Sequence, residues 1–156
     1  MIVFRLGKKA YCRDLSGKGA ELYGGRWNSK GVAMLYSSAS RALAYAEVAV
    51  HLPFGLVPKD YFIVTIEIPD AVSMTALKDK DLPPHWRDYP HGDTTQKIGD
   101  AFIAAGRSLI LRVPSAVVPG DFNYLVNPAH PQMKELSINS VEAFAFDSRF
   151  VRMIAK

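Results

Sequence analysis

A forked cation at Arg26, a carboxylate at Glu47 and a hydroxyl at Ser115 are the side chains of this sequence best suited to chemistry. Arg26 sits in the run Tyr23-Gly-Gly-Arg-Trp-Asn28, where two adjacent glycines let the backbone turn sharply or approach a ligand closely. Its guanidinium is shaped to grip a phosphate or carboxylate through two parallel hydrogen bonds, and Trp27 beside it offers a stacking face. A tight turn with a structural Arg and a half-buried Trp explains the same run. Glu47 lies in a predicted helix, with Leu43 four residues before it and Val50 three after, so its carboxylate falls on an apolar stripe. Burying it unpaired costs far more than leaving it in water. Either the helix rolls so that Glu47 meets solvent or a lysine, or the carboxylate is aimed into a cleft, where it can meet a hydroxyl or a developing cation. The spacing leaves both open.

Tyr36 ends the strand before that helix and reads as a core aromatic or as a ring at the same mouth. Ser115 follows Pro114 with no G-x-S-x-G elbow around it, which makes it a turn hydroxyl rather than a nucleophile. His51, His85, His91 and His130 lack metal-ligand spacing, so no zinc site is expected. The glycine runs match neither G-x-G-x-x-G nor the Walker loop.

These residues need elements to position them. Strands are predicted at Ile2–Leu6, Val32–Tyr36, Tyr61–Ile68, Ser108–Val113, Asn123–Val126 and Val141–Phe146. Asp14–Ala20 reads as an irregular loop, and Asp70–Pro90, marked by Pro83-Pro84 and Trp86, as a connection lying over the core. A first helix runs from Arg41 to Leu52 after a serine cluster that supplies its cap, and Pro53 and Gly55 stop it. A second follows Asp93, expected as N-cap with Gln96 reaching back, and Gly106 ends it. Asn127–Pro131 is a turn. Strands outnumber helices without strict alternation, which predicts α+β: a mixed sheet with a few covering helices.

Composition sets outer bounds. A chain of 156 residues is one domain by the usual prior, here taken as 1–156, and half its residues are apolar. Its net charge of +4 comes from scattered Lys and Arg, which suits an anionic small molecule or an acidic protein better than a nucleic acid. A lone Cys12 excludes an internal disulfide and fits a reducing cytoplasm. Arg5, Lys8 and Lys9 interrupt the first apolar run and leave no signal-peptide core, and no stretch approaches the length of a membrane span.

In order along the chain, Tyr23-Gly-Gly-Arg26-Trp-Asn, Tyr36, Ala46-Glu47-Val-Ala-Val-His-Leu, Gly106-Arg-Ser-Leu, Arg112-Val-Pro-Ser115-Ala-Val-Val-Pro and Asn127-Pro-Ala-His-Pro form a linked set. The set resembles the RES-domain toxins, bacterial toxins of type II toxin–antitoxin pairs named for an Arg, a Glu and a Ser. The resemblance runs from about Phe4 to Arg149, and Arg26, Glu47 and Ser115 stand at the three naming positions. It implies a fold like the ADP-ribosyltransferases and an activity that consumes NAD by hydrolysis or phosphorolysis, or that transfers ADP-ribose to a protein. It also implies an Xre-like antitoxin as partner, in an oligomeric complex. The chemistry is compatible. Breaking the nicotinamide–ribose bond builds oxocarbenium-like charge, which Glu47 is suited to stabilise. Arg26 suits the pyrophosphate or an incoming phosphate, Tyr36 a nicotinamide ring, and Ser115 a hydrogen bond to ribose, nicotinamide or Glu47. Trp27 and Asn127 are further candidates for contact with NAD, which is a substrate here, so no held cofactor is expected. A nucleic-acid-binding module built on Arg26, Trp27, Lys18, Lys30 and Arg41 is the alternative from another class. It leaves Glu47 unexplained, because a carboxylate repels phosphate.

Overall fold

The computed structural model describes residues 1–53, 57–147 and 149; Gly55, expected to help stop the first helix, lies outside them. Among the described residues the chain forms seven strands and three α-helices, an α+β architecture with a mixed sheet as the pattern predicts. The strands are β1 (Ile2–Lys8), β2 (Leu35–Ser38), β3 (Tyr61–Glu67), β4 (Met74–Ala76), β5 (Ile110–Pro114), β6 (Phe122–Val126) and β7 (Ser137–Phe144). The helices are α1 (Lys18–Tyr23), α2 (Arg41–Ala49) and α3 (Thr94–Ala105). Sheet order is β4-β5-β6-β2-β1-β3-β7, and only the β4–β5 pair is parallel.

Period-two alternation sorts the side chains onto two faces. Val3, Leu35, Val64, Ile66, Ile110 and Val126 share one face, covered by Cys12, Leu15, Met133 and Leu136. The other face carries the helices. There α2 packs against β1 and β2, with Ala44 against Leu6 and Ile63. Leu111, Val113 and Leu125 meet Ile98 and Phe102 of α3, together with Trp27, Met34 and Trp86. Tyr36 and Ser38 on β2 and Asn123 on β6 therefore point into the space between α2 and α3.

Several local expectations need correction. The loop expected at Asp14–Ala20 ends in α1, whose six residues are too few to show a helical period; Ala20 packs against the cluster around Trp27, and Lys18 pairs with Glu21 at 2.7 Å. β2 begins three residues later than expected, because the Val32 carbonyl is held in the preceding turn by Asn28 Nδ2 at 2.9 Å. The Asp93 carboxylate makes no cap hydrogen bond and pairs with Lys97 at 2.7 Å instead. Gln96 does not reach back to it either, since its amide donates to the Gly25 carbonyl at 2.9 Å. Gly106 does close α3, with a φ of 57° that favours glycine. The Asp70–Pro90 connection gains the short edge strand β4, and it does lie over the core, with Trp86 buried beside Leu82.

Candidate active site

The Gly24–Ser29 turn is built by close approach. A Cβ on Gly25 would lie 2.7 Å from the Tyr36 hydroxyl, so only glycine lets the turn sit this near β2. The Tyr36 hydroxyl donates to Asn28 Oδ1 at 2.7 Å and accepts from the Trp27 amide at 3.0 Å. Buried Asn28 in turn donates to the carbonyls of Ala20 and Val32. Helix α3 cradles the turn from the far side: Thr95 donates to the Arg26 carbonyl at 2.7 Å, and Asp100 accepts from the Ser29 amide at 2.9 Å. A Cβ on Gly99 would fall 1.7 Å from the Trp27 carbonyl oxygen. The result fixes the root of Arg26 on three sides.

The Arg26 guanidinium then reaches the 86–88 segment. Its Nη1 donates to the Trp86 carbonyl, and its Nη2 to the carbonyls of Asp88 at 3.2 Å and Arg87 at 3.5 Å. Both terminal nitrogens of the fork are thus engaged by main chain. Burial lowers the Arg26 pKa, while the charges of Glu47 and Asp88 oppose that shift. Glu47 and Arg26 are therefore within electrostatic reach of one another.

Glu47 resolves the choice its spacing left open. The carboxylate is half-buried and turned toward the sheet, where Oε1 accepts from Ser115 Oγ at 2.8 Å and from Asn123 Nδ2 at 2.5 Å. Ser115, fully buried, also accepts from the amides of Val117 at 3.1 Å and Val118 at 3.0 Å. With its proton on Glu47 and its oxygen committed to two N–H groups, this hydroxyl is a turn-forming strut and not a poised nucleophile. Asn123 Oδ1 accepts from Ser38 Oγ at 2.8 Å. Glu47, Asn123, Tyr36 and Ser38 line one cavity of about 140 Å³, walled on its apolar side by Phe4, Leu6, Ala44 and Val48. Burial raises the Tyr36 phenol far above its ordinary value, so it stays a neutral donor at that wall.

Tyr36, Glu47 and Ser115 thus come together from a strand, a helix and a strand end, while Arg26 stands on the neighbouring turn with its guanidinium on the 86–88 segment and outside the lining of that cavity. Trp27 does not join them. Its ring is 3% exposed and packs against Trp86 with centroids 5.9 Å apart, so the expected stacking face is used inside the core. That burial removes the platform on which the nucleic-acid reading depended. Asn127 is also apart: it is buried four residues beyond Asn123 along β6, about 13 Å away, and its side chain holds the 127–131 turn through the Ala129 amide at 3.0 Å. The sequence reading missed Asn123 and Ser38. An Asn inside an otherwise apolar strand was the available signal, since Asn is disfavoured there without a partner. Among the described residues no group of three or more His, Cys, Asp or Glu side chains is placed to hold a metal ion, and no helix is long and apolar enough to cross a membrane.

The RES domain family matches residues 2–147. The chain belongs to the RES domain family. Its relatives include the "Prs ADP-ribosylating toxin" of Sphingobium sp. (strain YBL2), 41% identical over 141 residues, covering 89% of this chain and 88% of that protein. "Toxin Res" of Yersinia enterocolitica is 38% identical over 152 residues, covering 96% of this chain and 99% of the relative. "Toxin Res" of Pseudomonas putida is 39% identical over 153 residues with the same coverage. Among solved structures, a chain of the M. tuberculosis MbcT-MbcA toxin-antitoxin complex superposes with a TM-score of 0.75 at 19% identity, covering 99% of this chain and 89% of that one. At that identity the likeness speaks for the fold of this RES domain.

Proposed function

We propose that this RES domain is the toxin of a type II toxin–antitoxin pair and cleaves the nicotinamide–ribose bond of NAD. The observation that carries the reading is the Glu47 carboxylate, pinned through Oε1 by Ser115 and Asn123 at a cavity that Tyr36 lines. In the reaction the C1′–N1 bond breaks, its electron pair returns to the nicotinamide ring, and positive charge develops at the ribose carbon. Glu47 meets that charge and orients a ribose hydroxyl. Tyr36 borders the nicotinamide, and the fixed charge of Arg26 draws the pyrophosphate. Ser115 acts on Glu47 and forms no covalent bond. Trp27, packed in the core, and Asn127, in the 127–131 turn, stand outside the lining of that cavity and are given no part in the step.

The acceptor atom belongs to water, to inorganic phosphate or to a protein side chain; it forms the new bond to C1′, and an acceptor that carries a proton releases it to solvent. Transfer to a protein is the second reading, favoured by the name of the Sphingobium relative at 41% identity. For an antitoxin as partner, the M. tuberculosis toxin-antitoxin complex is the supporting case, and the Xre-like class of that antitoxin rests on the sequence resemblance alone. With NAD read as a consumed substrate the proposal calls for no held cofactor, and it takes the chain as one domain acting in the cytoplasm. The test is incubation of the purified protein with NAD alone, with phosphate, and with lysate, followed by product resolution. Free ADP-ribose marks hydrolysis, its 1″-phosphate phosphorolysis, and labelled protein transfer. NAD left intact in all three rejects the proposal.

A further inference from the structure

Ser38 contributes no charge and no reacting atom, yet its hydroxyl is linked to the Glu47 carboxylate through one intermediate. It is 5% exposed, lies directly opposite Asn123 in the β2–β6 register, and donates to Asn123 Oδ1 at 2.8 Å. The other end of that amide donates to Glu47 Oε1. Asn123 is therefore held at both ends, by a hydroxyl on one side and a carboxylate on the other. The terminal torsion of a glutamate is broad and nearly two-fold. One donor, Ser115, would fix the position of Oε1 but leave the carboxylate plane free to swing about it. A second donor from a different strand removes that freedom. With Oε1 loaded by both, Oε2 is the oxygen left without a protein hydrogen bond among the described residues.

We propose that Ser38 is a positioning residue: acting through Asn123, it sets the rotation of the Glu47 carboxylate so that Oε2 faces the ribose of NAD. The inference rests on the NAD-cleavage reading for its purpose, but the orientation of the carboxylate is measurable without it. Losing the Ser38 hydroxyl leaves Asn123 Oδ1 without its donor and lets the amide tilt away from Glu47. The Arg26 turn and Tyr36 make no hydrogen bond to Ser38, so their contacts survive the change.

Ser38→Ala, Ser38→Thr and Ser38→Cys decide the matter, read by NAD kinetics, thermal unfolding and the side-chain amide signals of Asn123 in ¹⁵N–¹H spectra. The expected result for Ser38→Ala is a kcat lower by about 10- to 100-fold, the scale of a small misplacement of a reacting group, with KM for NAD unchanged. The Asn123 amide signals should shift and exchange faster with solvent. Ser38→Thr, which keeps the hydroxyl, should restore both. Equal losses in Ser38→Ala and Ser38→Thr, or unmoved Asn123 signals, overturn the proposal and leave a merely satisfied buried pair. If Ser38→Ala does not fold, Ser38→Cys, with its weak donor of similar shape, is read in its place against the same criteria. Wild-type protein that leaves NAD intact while Ser38→Ala still moves the Asn123 signals rejects the cleavage reading and retains the positioning role.

Discussion

At the scale of single residues, Glu47 and Tyr36 make separable predictions. In Glu47→Gln the carbonyl oxygen of glutamine can still accept from Ser115 and Asn123, while an amide nitrogen replaces Oε2. The fold should therefore stay near wild-type stability while NAD cleavage falls by about 10²–10³-fold, the usual cost of one electrostatic stabiliser; turnover retained in the folded variant removes Glu47 from the mechanism. Tyr36→Phe deletes a donor to Asn28 and an acceptor for Trp27, leaving buried groups unpaired, for a loss of about 1–3 kcal/mol at neutral pH. Its pH dependence has a definite sign. The folded protein holds the Tyr36 proton in a range where the unfolded chain, titrating near 10, has released it. Stability from this group is complete below about pH 10 and declines as pH rises above it, and Tyr36→Phe should flatten that alkaline decline in denaturant unfolding from pH 7 to 11. Glu47 stood out because its charge falls on an apolar helix stripe, whereas Arg26 and Ser115 fit structural turns by pattern and were singled out by the family resemblance. Asn123 and Ser38 were not, because their meaning lies in a cross-strand pairing that spacing along one chain does not encode.

At the scale of elements, α3 and the glycine turn behave as one unit. Thr95, Gln96, Gly99 and Asp100, on one side of the helix, meet the main chain of residues 25–29. Gly99→Ala should be the most disruptive methyl in the molecule, since its Cβ would overlap the Trp27 carbonyl and neither main chain can yield cheaply. Overpacking of this kind costs about 1–3 kcal/mol or more, so a clear drop in Tm is expected, with activity lost as Arg26 shifts. An unchanged Tm would mean that helix and turn are not rigidly coupled. The apolar period of α3 and its glycine stop could be read from the sequence. Its start could be read too, since Asp93 is the N-cap residue, but the side-chain partners of the first turn could not: the Asp93 carboxylate takes Lys97 four residues on, and Gln96 the Gly25 carbonyl. The short α1 was hidden for a different reason: its glycine-rich surroundings match a loop, and packing of Ala20 in the core decides in favour of helix.

For the whole molecule, alternating strand patterns were enough to predict a mixed sheet, but not its order. That order places β2 between β6 and β1, and it is what brings residues 38, 47, 115 and 123 together. The proposed NAD cleavage calls for a means of holding the protein inactive, and the proposed antitoxin is the agent. If an acidic group of the partner pairs with Arg26, inhibition should be competitive with NAD and Arg26→Ala should weaken the complex by pull-down. Unchanged affinity, with NAD still entering the complex, would place the inhibitory contact elsewhere. Arg26→Lys sets a second test, because an ammonium cannot span carbonyls on three successive residues. Amides near 86–88 should then exchange faster, together with a fall in activity.

The grip of Arg26 on that segment has an evolutionary consequence. Its partners are main-chain carbonyls, which are the same whatever side chain the residue carries. Selection on this contact therefore bears on Arg26 and on the residues that hold its turn, and not on the side chains at 88 and 89. Arg87 adds a hold of its own, with Nη2 2.8 Å from Asp79 and its guanidinium 4.7 Å over the Trp86 ring, whereas Tyr89 is largely exposed and can be exchanged without touching the Arg26 contacts. Lineages can in this way vary the exposed face of this segment while its hold on Arg26 is inherited intact.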